Sequence, residues 1–185
     1  IAQYIYDNDC TILMGTNTFL NGYQRAAQPV DFQSLRYVFC GAEKLSQTVA
    51  TTYIERFGLR ILEGYGATET APVIAFNTPM HHQSGSVGRL LPLIDARLTP
   101  FQGAPDGGIL HVKGPNVMTG YYQHHPDQPN TNPPDEGWYD TGDVVTLDDD
   151  RMICIIGRCK RFAKIGGEMV SLTAVEALCQ HCYPD

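Results

Sequence analysis

No apolar run in this sequence approaches the roughly 18 residues that a bilayer-spanning helix needs, so no segment of it is expected to cross a membrane. Positive charge is scarce: 13 Lys and Arg stand against 20 Asp and Glu, for a net charge of −7. No basic stripe forms, which argues against a nucleic-acid partner. No signal-peptide pattern follows Ile1, so the chain is expected to start mid-protein or after processing, and its setting is expected to be cytoplasmic. Internal repeats and low-complexity tracts are missing too.

Cysteine is present but not arranged for cross-linking. The six residues, at 10, 40, 154, 159, 179 and 182, mostly lie inside apolar runs, which suits reduced thiols better than a disulfide framework. Cys179 and Cys182 flank His181, yet no second pair is spaced to complete the four ligands of a structural zinc site. The doublets His81-His82 and His124-His125 lie in polar, proline-flanked stretches and read as solvated loop residues.

The 185 residues, 43% hydrophobic, suffice for one sizeable core and part of a second domain. Residues 1–79 read as α/β. Thr11-Ile12-Leu13-Met14, Leu35 to Cys40 and Leu59 to Leu62 are strand-like runs. Phe19, Leu20 and Tyr23, then Val49, Ala50, Tyr53, Ile54 and Phe57, mark helical faces between them. Ser46 can cap the second helix and Gly58 can end it. Strand–helix–strand spacing predicts a parallel sheet, whose ligands lie at the carboxyl ends of the strands.

Residues 84–156 change character. Asp95 to Leu98, Ile109 to Lys113, Val144 to Leu147 and Met152 to Ile156 predict short strands. Asp106-Gly107-Gly108 and Asp148-Asp149-Asp150 predict turns between them. This part reads as a small antiparallel β subdomain, barrel-like in outline. The stretch Gln123 to Glu136 reads as a surface loop. Residues 157–185 open on a Gly-Arg turn and a basic cluster, Arg158, Lys160, Arg161 and Lys164. A helical pattern follows through Leu172, Val175, Glu176 and Leu178, the start of a further α+β domain. About 25 residues cannot bury a core alone, so they must pack on what precedes them or stay loose.

Three strings carry candidate chemistry. In Tyr65-Gly66-Ala67-Thr68-Glu69, a glycine at a strand end lets backbone approach a ligand. A threonine hydroxyl there can donate to phosphate, and a carboxylate can hold magnesium that also contacts phosphates. A glycine-rich turn with a solvated glutamate would look the same. In Trp138-Tyr139-Asp140-Thr141-Gly142-Asp143, an aspartate after a tight glycine turn can accept from two ribose hydroxyls, at roughly 1.5–3 kcal/mol for each charged hydrogen bond. Thr-Gly-Asp is also ordinary turn chemistry. In Gly157-Arg158-Cys159-Lys160-Arg161-Phe162-Ala163-Lys164-Ile165-Gly166-Gly167-Glu168, an arginine fork suits ribose or phosphate, and a solvated basic loop is the alternative.

The three strings in this order resemble the superfamily of acyl-CoA synthetases, luciferases and peptide-synthetase adenylation domains, along the whole chain. Gly85-Ser86-Val87-Gly88-Arg89 and Lys113-Gly114-Pro115-Asn116-Val117-Met118 resemble that family's connecting segments. Ala42-Glu43-Lys44-Leu45, Leu62 to Glu69 and Lys160 to Leu172 look like a bacterial branch, the bifunctional 2-acylglycerophosphoethanolamine acyltransferase/acyl-[acyl-carrier-protein] synthetases. The resemblance implies an α/β AMP-binding part (1–79), an antiparallel part of the same domain (84–156), and a hinge with a truncated C-terminal domain (157–185). It implies that Gly41, Ala42 and Glu43 flank adenine and the acyl channel. Tyr65 would stack on adenine beside Gly66, Thr68 would bond the α-phosphate, and Glu69 would hold Mg2+. Asp143 would grip the ribose, assisted by Arg158, and Lys160 would be the hinge. The Gly166-Gly167 region would face the pantetheine tunnel.

The implied cofactors are ATP or AMP and Mg2+. The implied partners are a fatty acid, acyl carrier protein or coenzyme A, and a lysophospholipid handled by a domain outside this chain, with the full-length protein at the inner membrane. An ordinary acyl-CoA ligase, or a non-catalytic nucleotide-binding or structural module, fits the same strings. Two family parts are expected outside this chain. One is the Ser/Thr/Gly-rich triphosphate loop, before Ile1. The other is a catalytic lysine, past Asp185. Both stabilise the charge that builds as pyrophosphate leaves.

Overall fold

A computed structural model describes residues 1–123, 130–132 and 134–182. They fall into two compact units: Ile1–Gly66 with Ala75–Gly88, and Ala67–Ile74 with Arg89–Asp185.

In the first unit a short helix α1 (Ala2–Asp7) leads to β1 (Ile12–Gly15), α2 (Asn17–Ala26), β2 (Tyr37–Cys40), α3 (Gln47–Phe57) and β3 (Ile61–Gly66). β1 pairs with β2, and β2 with β3, all parallel as the spacing predicts. Ser46 caps α3 by accepting from the Val49 N–H, and Gly58 ends it at φ +67°. The core lies between the helices and one sheet face. Leu13, Leu20, Phe32, Val38, Val49, Tyr53 and Ile61 are buried in it. Burying each such side chain contributes roughly 1.5–3 kcal/mol. The one phenol in this group is satisfied: Tyr53 Oη donates to the Leu20 carbonyl at 3.1 Å. Arg56 spans from α3 to the end of α2, donating to the Gln24 and Ala27 carbonyls.

The segment 75–88 closes this unit around buried Asn77. Its Nδ2 donates to the Ser86 carbonyl, its Oδ1 accepts from the Gln83 N–H, and its own N–H donates to the Glu63 carbonyl. Gly88 sits at φ +95°, and a Cβ there would stand 1.9 Å from the Phe76 carbonyl carbon. Backbone on both sides leaves nothing to yield. Gly88→Ala is therefore expected to destabilise the chain by about 3 kcal/mol, from left-handed strain plus overpacking. Urea unfolding of the variant would measure it, and a loss under about 1 kcal/mol would contradict the close approach.

The second unit is mostly antiparallel. β4 (Val73–Phe76) runs across the boundary between the units, and β5 (Arg89–Leu90) follows. Then come β6 (Asp95–Phe101), β7 (Ala104–Lys113), β8 (Tyr121–Gln123), β9 (Asn130–Asn132), β10 (Tyr139–Leu147) and β11 (Ile153–Arg158). A four-stranded sheet of order β11-β10-β7-β6 buries Leu110, Val112, Val144, Val145 and Ile153. It is open, with β11 and β6 at its edges, rather than a closed barrel: four strands cannot wrap a core.

Several expected turns lie inside strands. Asp106-Gly107-Gly108 belongs to β7, and the reversal comes earlier, where Phe101 pairs with Ala104. The glycines serve close packing instead: added Cβ atoms would stand 2.5 Å from the Val145 carbonyl oxygen and 2.4 Å from that of Thr99. Thr141-Gly142-Asp143 is likewise no hairpin turn. It is an irregularity within β10, where the register against β7 shifts between Asp140 and Val144. Gly157-Arg158 ends β11 instead of turning. Part of the expected 123–136 loop is ribbon, since Gln123 of β8 pairs with Asn130 of β9. Its polar sequence gives no alternation to read. The His124-His125 doublet lies outside the described residues. Asp148 does make the expected turn, accepting from Arg151 N–H on its carbonyl and from Met152 N–H on its carboxylate.

After β11, a single 3-10 turn (Cys159–Arg161) leads to the hairpin β12 (Phe162–Ile165) and β13 (Glu168–Ser171), then α4 (Leu172–Cys182). The hairpin packs back: the Phe162 ring meets that of Phe101 edge-on at 4.8 Å. No helix among the described residues is long and apolar enough to cross a membrane.

Candidate functional site

Each unit carries its own share of the sequence-predicted residues. In the first, Gly41, Ala42 and Glu43 form the turn leaving the carboxyl end of β2, and Tyr65 and Gly66 end β3. Ala42 stands at φ +66°, a left-handed conformation that costs a non-glycine residue roughly 1–2 kcal/mol. The Glu43 carboxylate accepts from the N–H and the hydroxyl of Thr18, at 2.9 and 2.8 Å. Those contacts hold its carboxyl below the usual carboxylate range. Behind the turn lies Cys40, 2% exposed. Burial, then the charges of Glu63 and Glu43, push its thiol up to about 12. It is therefore an inert packing thiol. Burial also raises the carboxyl of Glu63, which accepts from the Leu45 N–H.

In the second unit Ala67 opens a tight turn through Thr68, Glu69 and Thr70. Thr70 Oγ1 knots this turn, accepting from the Ala67 N–H and lying within hydrogen-bond reach of the Ala67 and Pro72 carbonyls. Thr68 is left exposed at its tip. The segment after β7 stitches itself to the turn. Asn116 Nδ2 donates to the Thr70 and Val73 carbonyls, and the Met118 N–H donates to the Glu69 carbonyl at 2.8 Å. Three residues on, the Tyr121 hydroxyl donates to Glu69 Oε1 at 2.5 Å. That bond, first among the causes, keeps the Glu69 carboxyl below its usual range, and Tyr139 adds a second phenol contact. Burial and the Glu69 charge push the Tyr139 phenol up to about 12. The bond to Glu69 likewise raises the Tyr121 phenol, which donates to that carboxylate.

Four residues past Tyr139, Asp143 is 5% exposed. Its N–H donates to Thr141 Oγ1, and its Oδ1 accepts from Arg158 Nε at 3.0 Å. Asp143 and Arg158 are register partners on β10 and β11, so the pleat sets the pair. The Arg158 side chain remains 73% exposed, which leaves the rest of its fork facing water. Lys160 is exposed in the middle of the 3-10 turn. Arg161 pairs instead with Glu176 of α4. The predicted basic cluster is therefore divided by partner.

The sequence strings name Glu69, Asp143 and Arg158 as candidates, and the residues that contact them or their turn, Tyr121, Tyr139 and Asn116, were not among the expected site residues. Asn116 and Tyr139 stood inside quoted strings. Tyr121 had no local signal, because its partner lies 52 positions away. All six cysteines are free. Among the described residues, no group of three His, Cys, Asp or Glu could hold a metal ion by itself.

Comparison with known proteins points one way. The chain is 35% identical over 183 residues to the long-chain-fatty-acid–CoA ligase of Salmonella typhimurium, covering 95% of this chain and 32% of that protein. It is 38% identical over 156 residues to the probable 4-coumarate–CoA ligase 3 of Dictyostelium discoideum, covering 80% and 28%. The chain thus spans about a third of the length of these curated relatives. Among solved structures, ATP-bound MatB from Rhodopseudomonas palustris superposes with a TM-score of 0.80 at 28% identity, covering 97% of this chain and 37% of that one. Residues 1–122 match the family of AMP-binding enzymes, and the chain belongs to that family.

Proposed function

We propose that this chain is the nucleotide-recognising segment of an ATP-dependent acid–thiol ligase, which joins a fatty acid to AMP and then passes the acyl group to a pantetheine thiol. The observation that carries this reading is the pair of anchored carboxylates in the second unit. Glu69 accepts from the Tyr121 phenol and is held below the usual carboxylate range, and Asp143 is buried on a strand beside an arginine. In the proposed roles, Asp143 accepts from the ribose hydroxyls and Arg158 turns its exposed donors to the same sugar or a phosphate. Thr68 donates to the α-phosphate. Tyr65 stacks on adenine, with Gly41, Ala42 and Gly66 offering backbone.

Glu69 fits magnesium as a lone protein carboxylate, because Mg2+ keeps several waters and takes its other ligands from substrate phosphates. The ion, when bound, would neutralise phosphate charge. Glu69 would hold it in place, with Tyr121 and Tyr139 fixing the carboxylate's orientation.

Coenzyme A is the favoured acceptor, in keeping with the CoA-ligase names of the relatives. One observation favours a second reading. The string Arg161-Phe162-Ala163-Lys164-Ile165 resembles the acyl-carrier-protein synthetases that serve lysophospholipid reacylation, in a protein at the inner membrane. Competing coenzyme A against acyl carrier protein as acceptor decides between them.

ATP–pyrophosphate exchange tests the main reading. The 185-residue chain alone is expected to show none, because its own residues supply contacts to AMP but none assigned to the β- and γ-phosphates. Robust exchange by the chain alone would mean that the missing charge stabilisation is supplied from within it. The same segment in a longer chain that carries a triphosphate loop and a C-terminal lysine is expected to exchange in a fatty-acid-dependent manner. No exchange there would defeat the ligase reading and favour a non-catalytic binding module.

A further inference from the structure

The turn after β2 is strained at a residue that gains nothing by it locally. Ala42 at φ +66° is exposed, so no packing of its methyl group holds it there. The constraint comes from outside the turn. At one end, the Gly41 N–H donates to the Gly15 carbonyl at 3.3 Å. At the other, the Leu45 N–H donates to Glu63 Oε1 at 3.3 Å and the Ser46 N–H to Asn17 Oδ1 at 2.9 Å. In the middle, Glu43 grips Thr18 through two hydrogen bonds to one carboxylate oxygen.

Capping α2 is part of this arrangement but not all of it. Thr16 Oγ1 accepts from the Phe19 N–H and leaves over the Thr18 N–H, which Glu43 takes together with the Thr18 hydroxyl. A carboxylate near a helix N-terminus is favourable, but a solvated glutamate could serve that end without a left-handed neighbour. The low carboxyl range of Glu43 is set mainly by Thr18. A strained backbone persists only where its surroundings over-determine it, and such positions cluster at ligand-binding loops.

We infer that Glu43 is a positioning residue: by gripping Thr18 it fixes the Gly41-Ala42 turn in the conformation that offers its backbone to the nucleotide, and its carboxylate is not itself a nucleotide ligand. This rests on the nucleotide reading for the choice of ligand, but the grip on Thr18 and the conformation of Ala42 do not. It gives Thr18, which carries no sequence motif, a place in the function.

The ligand-free 185-residue chain tests the grip. NMR of the wild type is expected to show a strong intraresidue amide-to-Hα NOE at Ala42, the mark of a positive φ. Glu43→Gln, which keeps an oxygen for both Thr18 donors, keeps that NOE, and Glu43→Ala loses it. Retention in Glu43→Ala overturns the inference, as does loss in Glu43→Gln.

AMP titration to millimolar concentration, read by amide shifts, tests the consequence. Glu43→Ala is expected to weaken AMP about ten-fold, the scale of one left-handed residue. Glu43→Gln is expected to bind as the wild type does. Adding Ala42→Gly to Glu43→Ala recovers binding, because glycine enters the left-handed region freely. A ten-fold loss in Glu43→Gln would make the carboxylate a direct ligand and overturn the inference. AMP shifts missing from the wild-type chain would count against the nucleotide reading, and the Ala42 NOE would then decide the grip by itself.

Discussion

Asp143→Ala is expected to weaken nucleotide binding about 100-fold. The ribose offers two hydroxyls, and each hydrogen bond to a charged acceptor contributes roughly 1.5–3 kcal/mol. Losing about 3 kcal/mol in all is a factor on the order of 100. The folded chain is expected to survive the change. Removing one partner of an ion pair is most destabilising when it strands the other in a buried place. Here the partner left behind, Arg158, is 73% exposed and stays hydrated. The strand is also secured apart from the side chain, by the fully buried Val144 and Val145 and by the Asp143 N–H on Thr141. Asp143→Asn, which keeps one acceptor oxygen but not the charge, should fall between the two. The measurement is the ATP Michaelis constant of a longer chain that carries this segment, with thermal unfolding alongside. An unchanged constant in Asp143→Ala would remove this residue from the ribose role. A fall in stability matching the fall in affinity would make its role structural.

How far the sequence could be read depended on whether a contact was local. The parallel strands and α3 were legible, because apolar periodicity and the Ser46 and Gly58 caps lie within the elements they define. The antiparallel part was harder. Asp106-Gly107-Gly108 has turn chemistry but sits in a strand, because the glycines answer to Val145 and Thr99 on neighbouring strands. No local rule sees that. Gly142 differs: a Cβ there would meet nothing, and its φ of +67° bends β10 without reversing it. That bend replaces the predicted turn before Asp143. The carboxylates were legible through their strings, whereas Tyr121, Asn116 and Thr18 were not. Each of those acts through a partner at least 25 positions away in sequence. The strings name the groups that would meet a ligand, and the fold supplies what holds those groups still.

Lys160→Pro is expected to leave adenylation within about three-fold and to cut thioester formation at least about 100-fold, near 2.7 kcal/mol of barrier. The prediction depends on the proposed hinge, about which the C-terminal part turns between the two half-reactions. The contacts around Lys160 suit a pivot. Arg158 and Asp143 both precede it and stay together, while Arg161 and Glu176 both follow it and would travel as one. Among the described residues, the contacts that cross the pivot include apolar ones: the edge contact of Phe162 on Phe101, and Gly103 against Phe162 and Met169. An aromatic pair of this kind is worth about 0.5–1.5 kcal/mol beyond its buried area, which a bound substrate can offset. Proline fixes φ near −65°, within the range of the 3-10 turn seen here, so the observed arrangement is retained while others are closed off. Proline also disfavours a helical conformation at Cys159, which works against that lock. The two half-reactions give the readout: a locked hinge spares pyrophosphate exchange and stops acyl transfer, and an equal loss of both counts against the hinge role. Lys160→Ala frees the backbone and should leave thioester formation intact, tying the proline effect to φ rather than to the missing ammonium group.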